Sequence, residues 1–342
     1  MNRFMASMLL AAAFVQCLPV AGAQTLRERI RERIEERRAQ ASSPVAAPES
    51  RNPPSAPDTH EYRLDHDGLP RRYLIHVPAG LDPARPAPLV LALHGGGGHA
   101  EYMADDQRYG LIGEADRRGF VVVFPNGYSR FPGGRLATWN AGGCCGDARD
   151  RNIDDVGFLR AVVDDVRKQV RIDPARVFAT GMSNGAMMSY RLACEAADLF
   201  RGIAAVAGTE AAVRCQPDRA VAILHVHARD DTHVLFEGGA GPDAFRDPGK
   251  VMAFVAVPET VSRWVGRNRC ATSPRRVLEV TGAYCERYAD CRSASPVQLC
   301  VTENGGHSWP GAHVVRRGKE AASQALDANA TISEFFASLP PR

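Results

Sequence analysis

Residues 177–193 read VFATGMSNGAMMSYRLA. The stretch begins as an apolar, β-branched and aromatic run and passes through Gly181-Met182-Ser183-Asn184-Gly185. It continues as a helix-compatible segment with Ala186, Met187, Met188, Tyr190 and Leu192. A strand, a tight glycine-flanked turn carrying a serine, then a helix is the layout of a nucleophile elbow. The turn strains the serine backbone, and glycine is needed two residues to either side because a Cβ there would strike strand or helix. The serine Oγ would then stand at the carboxyl end of the strand, beside the unpaired N–H groups of the helix N-terminus. Alone the motif is weak: in a chain with 31 glycines among 342 residues, a glycine-rich turn before a helix is an ordinary alternative. The surrounding sequence has to decide.

Outward from this stretch, short apolar runs alternate with helical patterns. Residues 61–64 and 72–77, joined around Asp67-Gly68, read as an antiparallel hairpin. Runs at 88–93, 120–124, 177–180, 203–206, 221–226 and 297–302 read as buried strands, and 107–118, 154–170, 258–267 and 328–339 as helices. The strands are continuously apolar, which predicts an α/β fold with a mostly parallel sheet covered on both faces. Such a sheet binds ligands at the carboxyl ends of its strands.

Several chemically capable residues fall at those ends. A serine nucleophile needs a base, and the base needs an acid that fixes its tautomer; in sheets of this kind the chain order is Ser, acid, His. His307 follows the last predicted strand, in Gly305-Gly306-His307-Ser308-Trp309, and is the candidate base; a loop histidine without a role is the alternative. Asp230 and Asp231 both follow the strand at 221–226, and spacing does not separate them. An oxyanion hole requires preset N–H donors. Asn184, directly after the serine, supplies one, and Gly96 or Gly97, in the run Gly95–Gly98, the other. That run lacks the following Gly-Lys-Ser/Thr of a phosphate loop, which disfavours nucleotide binding. His225 and His227 lie two apart on one strand face; a metal pair ranks below a structural role.

Composition narrows the class. A formal net charge of +3 with Lys and Arg spread along the chain argues against a nucleic-acid partner. Residues 1–23 read as a secretory signal peptide: a positive start, an apolar run, then Ala21-Gly22-Ala23. No second apolar run reaches membrane length, so the expected product is soluble and secreted, to the extracellular space or the periplasm. Residues 25–40 form a highly charged helical pattern with a thin Leu26, Ile30, Ile34 stripe, read as a solvated helix ahead of a docking helix. Residues 41–57 read as an Ala-, Ser- and Pro-rich linker. Beyond Cys17 stand eight cysteines, without the C-x-x-C pairs of zinc sites, which suits disulfides in an oxidising compartment. Cys285–Cys300 fits a cross-strand pair, and Cys194–Cys215 and Cys270–Cys291 are the next local closures.

Taken together, LHGGGG at 93–98, WNAGGCCG at 139–146, NIDDVGFLRAVVDDV at 152–166, GMSNGAMMSYRLAC at 181–194, HVHARDD at 225–231 and NGGHSWPG at 304–311 resemble the secreted polyhydroxybutyrate-depolymerase-like and feruloyl-esterase-like branch of the α/β hydrolases. The resemblance implies an α/β-hydrolase catalytic domain over 60–342, after the signal peptide (1–23) and the helix and linker (24–59). It implies a serine carboxylic-ester hydrolase with a Ser183, Asp231, His307 triad and no metal or organic cofactor. Asp231 is favoured because the family's acid stands four residues after a strand-end histidine, here His227. Trp139 and Trp309 are expected to line the substrate cleft, with plain core packing as the equal alternative for each. Cys144 and Cys145 resemble a disulfide at the rim of the site. The expected substrates are polymer-derived esters: feruloyl or acetyl polysaccharide esters, or polyhydroxyalkanoate oligomers. A serine peptidase and a non-catalytic binder on a hydrolase scaffold are the alternatives. Oligomeric state is open.

Overall fold

A computed structural model describes residues 59–244, 253–315 and 320–341. The signal peptide, charged helix and linker predicted before residue 59 lie outside the described residues.

Ten strands form one sheet among the described residues. In chain order they are β1 (Thr59–His66), β2 (Leu69–His76), β3 (Ala87–Leu93), β4 (Val121–Pro125), β5 (Ile172–Met182), β6 (Gly202–Val206), β7 (Ala222–Ala228), β8 (Arg275–Val280), β9 (Ala283–Tyr288) and β10 (Val297–Thr302). Their spatial order is β1-β2-β4-β3-β5-β6-β7-β10-β9-β8. The central six, β4-β3-β5-β6-β7-β10, are parallel to one another, and an antiparallel pair extends each edge.

Among the described residues the α-helices are α1 (Ala100–Met103), α2 (Leu111–Arg118), α3 (Gly146–Asp150), α4 (Asp155–Arg167), α5 (Asn184–Glu195), α6 (Val257–Asn268) and α7 (Ala328–Ala337). Because side chains alternate along a strand, Leu89, Leu91, Val123, Ala179, Ile203 and Ile223 face one core with Phe158, Met188 and Trp264. Val90, Val122, Phe178, Ala204, Leu224 and Val226 face a second core with Leu111, Ile332 and Phe336. Both faces are buried, so the central strands read as unbroken apolar runs.

Two departures from the sequence reading have clear causes. The helix predicted from 107 begins at Leu111, because Gly110 sits at φ 63° and Asp106 Oδ1 accepts the Ile112 N–H at 2.8 Å. The pair β8–β9 was invisible to an apolar-run reading: β8 is almost wholly exposed and carries Arg275, Arg276 and Glu279. In β9, Cys285 stands directly opposite Cys300 of β10.

Candidate active site

The loops after β3, β5, β7 and β10 converge at the carboxyl end of the sheet. Ser183, between β5 and α5, has φ 56° and ψ −119°, a conformation that L residues rarely hold and that marks functional turns. Its N–H donates to the Val206 carbonyl at 2.8 Å, and its carbonyl accepts the first helical bond from Met187 N–H at 2.9 Å. The flanking glycines are sterically obligatory. A Cβ on Gly181 would lie 2.5 Å from the Gly185 carbonyl carbon, and one on Gly185 would lie 2.6 Å from the His94 oxygen. Strand β3, β5 and the start of α5 touch backbone to backbone here.

The structure brings Asp231, and not Asp230, to His307: Asp231 Oδ2 accepts from His307 Nδ1 at 2.8 Å. Asp231 Oδ1 accepts the backbone N–H groups of His233 at 2.7 Å and Val234 at 3.0 Å. Burial alone would push the Asp231 carboxyl up; hydrogen bonds from His227 and His307 outweigh it and hold the group far below the usual carboxylate range. Asp230 instead accepts the Gly306 N–H at 2.9 Å and anchors the loop that carries His307. The ring of His233 stacks on that of His307, with centroids 4.6 Å apart.

The glycine loop is set by His94. Its Nδ1 donates to the Gly95 carbonyl at 2.8 Å and its Nε2 accepts the Gly127 N–H at 2.9 Å, an arrangement only the neutral ring satisfies. Burial lowers its pKa to about 4. Gly97 is corrected as an oxyanion donor: its N–H is already given to the Ala137 carbonyl at 2.8 Å. Gly96 and Asn184 remain as candidate donors. The Asn184 side chain is fully used in bracing: Oδ1 accepts the Trp139 N–H at 2.7 Å, and Nδ2 donates to the Trp139 carbonyl at 3.0 Å.

Ser183, His307 and Gly95–Gly98 line one cavity of about 680 Å³, with Tyr102, Tyr109 and Trp309 on its wall. Those three rings meet edge to face, Tyr102 to Tyr109 at 5.9 Å and Tyr109 to Trp309 at 5.4 Å. Trp139 does not line it, which corrects one half of the tryptophan expectation. It is wholly buried, and its indole N–H donates to the His94 carbonyl at 2.9 Å. A ring that must satisfy that donor is packed beneath the glycine loop instead of beside the substrate.

Sequence reasoning missed the roles of Asp155 and Arg71. Asp155 is wholly buried; its Oδ1 accepts from Arg71 Nη2 at 2.7 Å and its Oδ2 accepts the Asn140 N–H at 2.8 Å. The ion pair ties α4 to β2, and the Asn140 bond ties it to the loop of Trp139. The second Asp of Asn-Ile-Asp-Asp was its visible trace, but the partner lies 84 residues away. Disulfides join Cys144–Cys145, Cys194–Cys215, Cys270–Cys291 and Cys285–Cys300, and the first pair lies on the cavity wall. His225 and His227 bond to each other and to protein neighbours, not in a chelating arrangement.

Residues 71–255 match the family model described as esterase PHB depolymerase. The chain is 31% identical over 279 residues to a putative esterase, NocK, of Nocardia uniformis subsp. tsuyamanensis, an alignment covering 77% of this chain and 78% of that protein. It is 29% identical over 243 residues to feruloyl esterase B of Piromyces equi, covering 70% of this chain but only 42% of that longer protein. An acetyl xylan esterase from Aspergillus awamori superposes with a TM-score of 0.51 at 15% identity, over 81% of this chain and 99% of that one. That likeness, with the parallel sheet and its helix-covered faces, makes the fold an α/β-hydrolase fold. With the family model spanning more than half its length and a relative matched across most of both sequences, the chain belongs to the esterase PHB depolymerase family.

Proposed function

We propose that the protein is an exported serine carboxylic-ester hydrolase acting through Ser183, His307 and Asp231. The observation that carries the reading is the 2.8 Å bond between His307 Nδ1 and the buried Asp231 Oδ2, with His307 lining the same cavity as Ser183. An ionised Asp231 only accepts, so His307 carries its proton on Nδ1 and leaves Nε2 to take the Ser183 proton. Ser183 Oγ attacks the ester carbonyl, and the N–H groups of Asn184 and Gly96 receive the developing oxyanion. His307 returns its proton to the leaving alcohol. It then draws a proton from water, which attacks the acyl-enzyme and frees the acid and Ser183.

The aromatic wall of Tyr102, Tyr109 and Trp309 suits a flat or apolar acyl group, and the names of the relatives point to polymer-derived esters. Feruloyl or acetyl polysaccharide esters and hydroxyalkanoate oligomers are the substrate classes to compare. Four disulfides and the signal-peptide pattern of residues 1–23 support export. Ser183→Ala is expected to fold, to lose nearly all p-nitrophenyl ester turnover and to escape fluorophosphonate labelling. Turnover well above background in that variant rules the reading out. Parallel assays on methyl ferulate, acetylated xylan and hydroxybutyrate oligomers then assign the acyl group.

A further inference from the structure

We propose that Tyr190, His225 and His227 form a directional hydrogen-bond chain ending on the Asp231 carboxylate, with His227 as a positioning residue for the triad acid. The inference rests on the reading of Asp231 and His307 given above.

The direction follows from one fixed point. The Val234 carbonyl can only accept, so the His227 Nε2 that lies 2.8 Å from it carries a hydrogen. That same N–H lies 3.3 Å from Asp231 Oδ2 and is shared with it. In a neutral ring, His227 Nδ1 is then an acceptor, and it receives His225 Nε2–H at 3.1 Å. His225 Nδ1 becomes an acceptor in turn and receives the Tyr190 hydroxyl at 2.7 Å. Every donor and acceptor is used once the chain runs from Tyr190 to Asp231; the reverse direction would leave His227 Nε2 without a hydrogen between two acceptors.

Burial keeps His225 and Tyr190 neutral. Tyr190, His225, His227 and Asp231 are all within 2% of complete burial. Burial, then the neighbouring His227, holds His225 well below the usual imidazole range, and burial, then Glu210, raises Tyr190 well above the usual phenol range. The titratable groups facing the carboxylate are His227 from β7, His307 from the loop after β10, and His233 from its own loop. Behind them stand His225 and then Tyr190 of α5, with Glu210 and Arg267 of α6 beyond. Asp231 therefore has two amide donors on Oδ1 and two imidazole donors on Oδ2. The His227 donor spreads the negative charge on the oxygen that holds His307 and fixes where that oxygen sits.

Two measurements test this. In the native enzyme, nitrogen NMR of the histidine rings is expected to show His225 and His227 both neutral and protonated on Nε2; the opposite tautomer, or an imidazolium, at either ring overturns the chain. In the second, His227→Leu is expected to lower kcat by about tenfold to a hundredfold with little change in KM. Its acid limb of kcat/KM should move to higher pH, because an undiluted carboxylate charge favours the imidazolium more. His227→Gln, which returns an N–H toward Oδ2, is expected to recover rate and limb together. Equal losses in both variants with an unmoved limb reduce His227 to packing and overturn the proposal. Failure of the underlying triad reading is separable: fluorophosphonate would then not label Ser183 in the native enzyme, whereas failure of the chain alone leaves that labelling intact.

Discussion

Asp230 and Asp231 are neighbours with opposite duties, set by where the chain turns after β7. Asp231 is buried, pointed at His307 and surrounded by four donors, whereas Asp230 is exposed and holds the Gly306 amide. In Asp231→Asn the amide cannot accept at Oδ2 and orient the imidazole in the same way, so kcat is expected to fall on the order of 10³–10⁴-fold. In Asp230→Asn the amide oxygen still accepts from Gly306, so the loss is expected to stay under about tenfold. Ester kinetics on the two variants side by side check the assignment; a larger loss in Asp230→Asn reverses it. The aspartate choice could be reached from the sequence only through a family resemblance, because spacing alone allows either residue.

At the level of elements, the elbow joins β5 to α5 by bringing three stretches of backbone into contact. Gly185 is helical, and its restriction comes from space: the carbonyls of Leu93 and His94 occupy the volume a methyl would need. Those carbonyls belong to the end of β3 and the start of its glycine loop, so the methyl would push apart the serine turn and the glycine loop at once. Gly185→Ala is expected to cost more than about 3 kcal/mol, read as a lowered thermal midpoint or as loss of soluble protein. A variant with native stability would mean that the two loops are further apart than described here. The elbow was legible because strand, glycines, serine and helix are contiguous. The hairpin β8–β9 was not: β8 is exposed and charged, β9 has no continuous apolar run, and the Cys285–Cys300 pair pointed only to the pairing of β9 with β10.

Across the whole molecule, histidines kept neutral by burial couple stability to pH. His94 is held down to about 4 and His225 well below the usual imidazole range, by burial in each case. The unfolded chain takes up protons at these rings below its ordinary value of 6.5, while the folded protein protonates His94 only near 4 and His225 only well below the usual imidazole range. Stability is therefore fully present above 6.5 and falls as pH drops toward 4, with His94 alone contributing about 3 kcal/mol. Asp231 has the depressed carboxylate's pattern: its contribution persists above its ordinary value of 3.8 and is lost only in stronger acid. Urea midpoints are expected to decline from about pH 7.5 to about pH 4.5; a level profile contradicts neutral buried rings at 94 and 225.

What the sequence by itself determined is what local and periodic chemistry can carry. Continuous apolar runs required strands buried on both faces, and glycines around Ser183 required a tight strand-to-helix turn. The order of serine, aspartates and histidine after successive strands placed the candidate groups at one end of a sheet. The tertiary structure alone decided matters that depend on groups distant in the chain. It put Trp139 under the glycine loop because its indole N–H had to meet the His94 carbonyl, and it withdrew Gly97 by giving its amide to Ala137. It set Arg71 against Asp155, and it separated Asp231 from Asp230 at His307, which spacing leaves open and a family resemblance only favours. Buried polar groups must find partners wherever the fold brings them, and at separations of 84 and 76 residues the partner lies outside any local pattern.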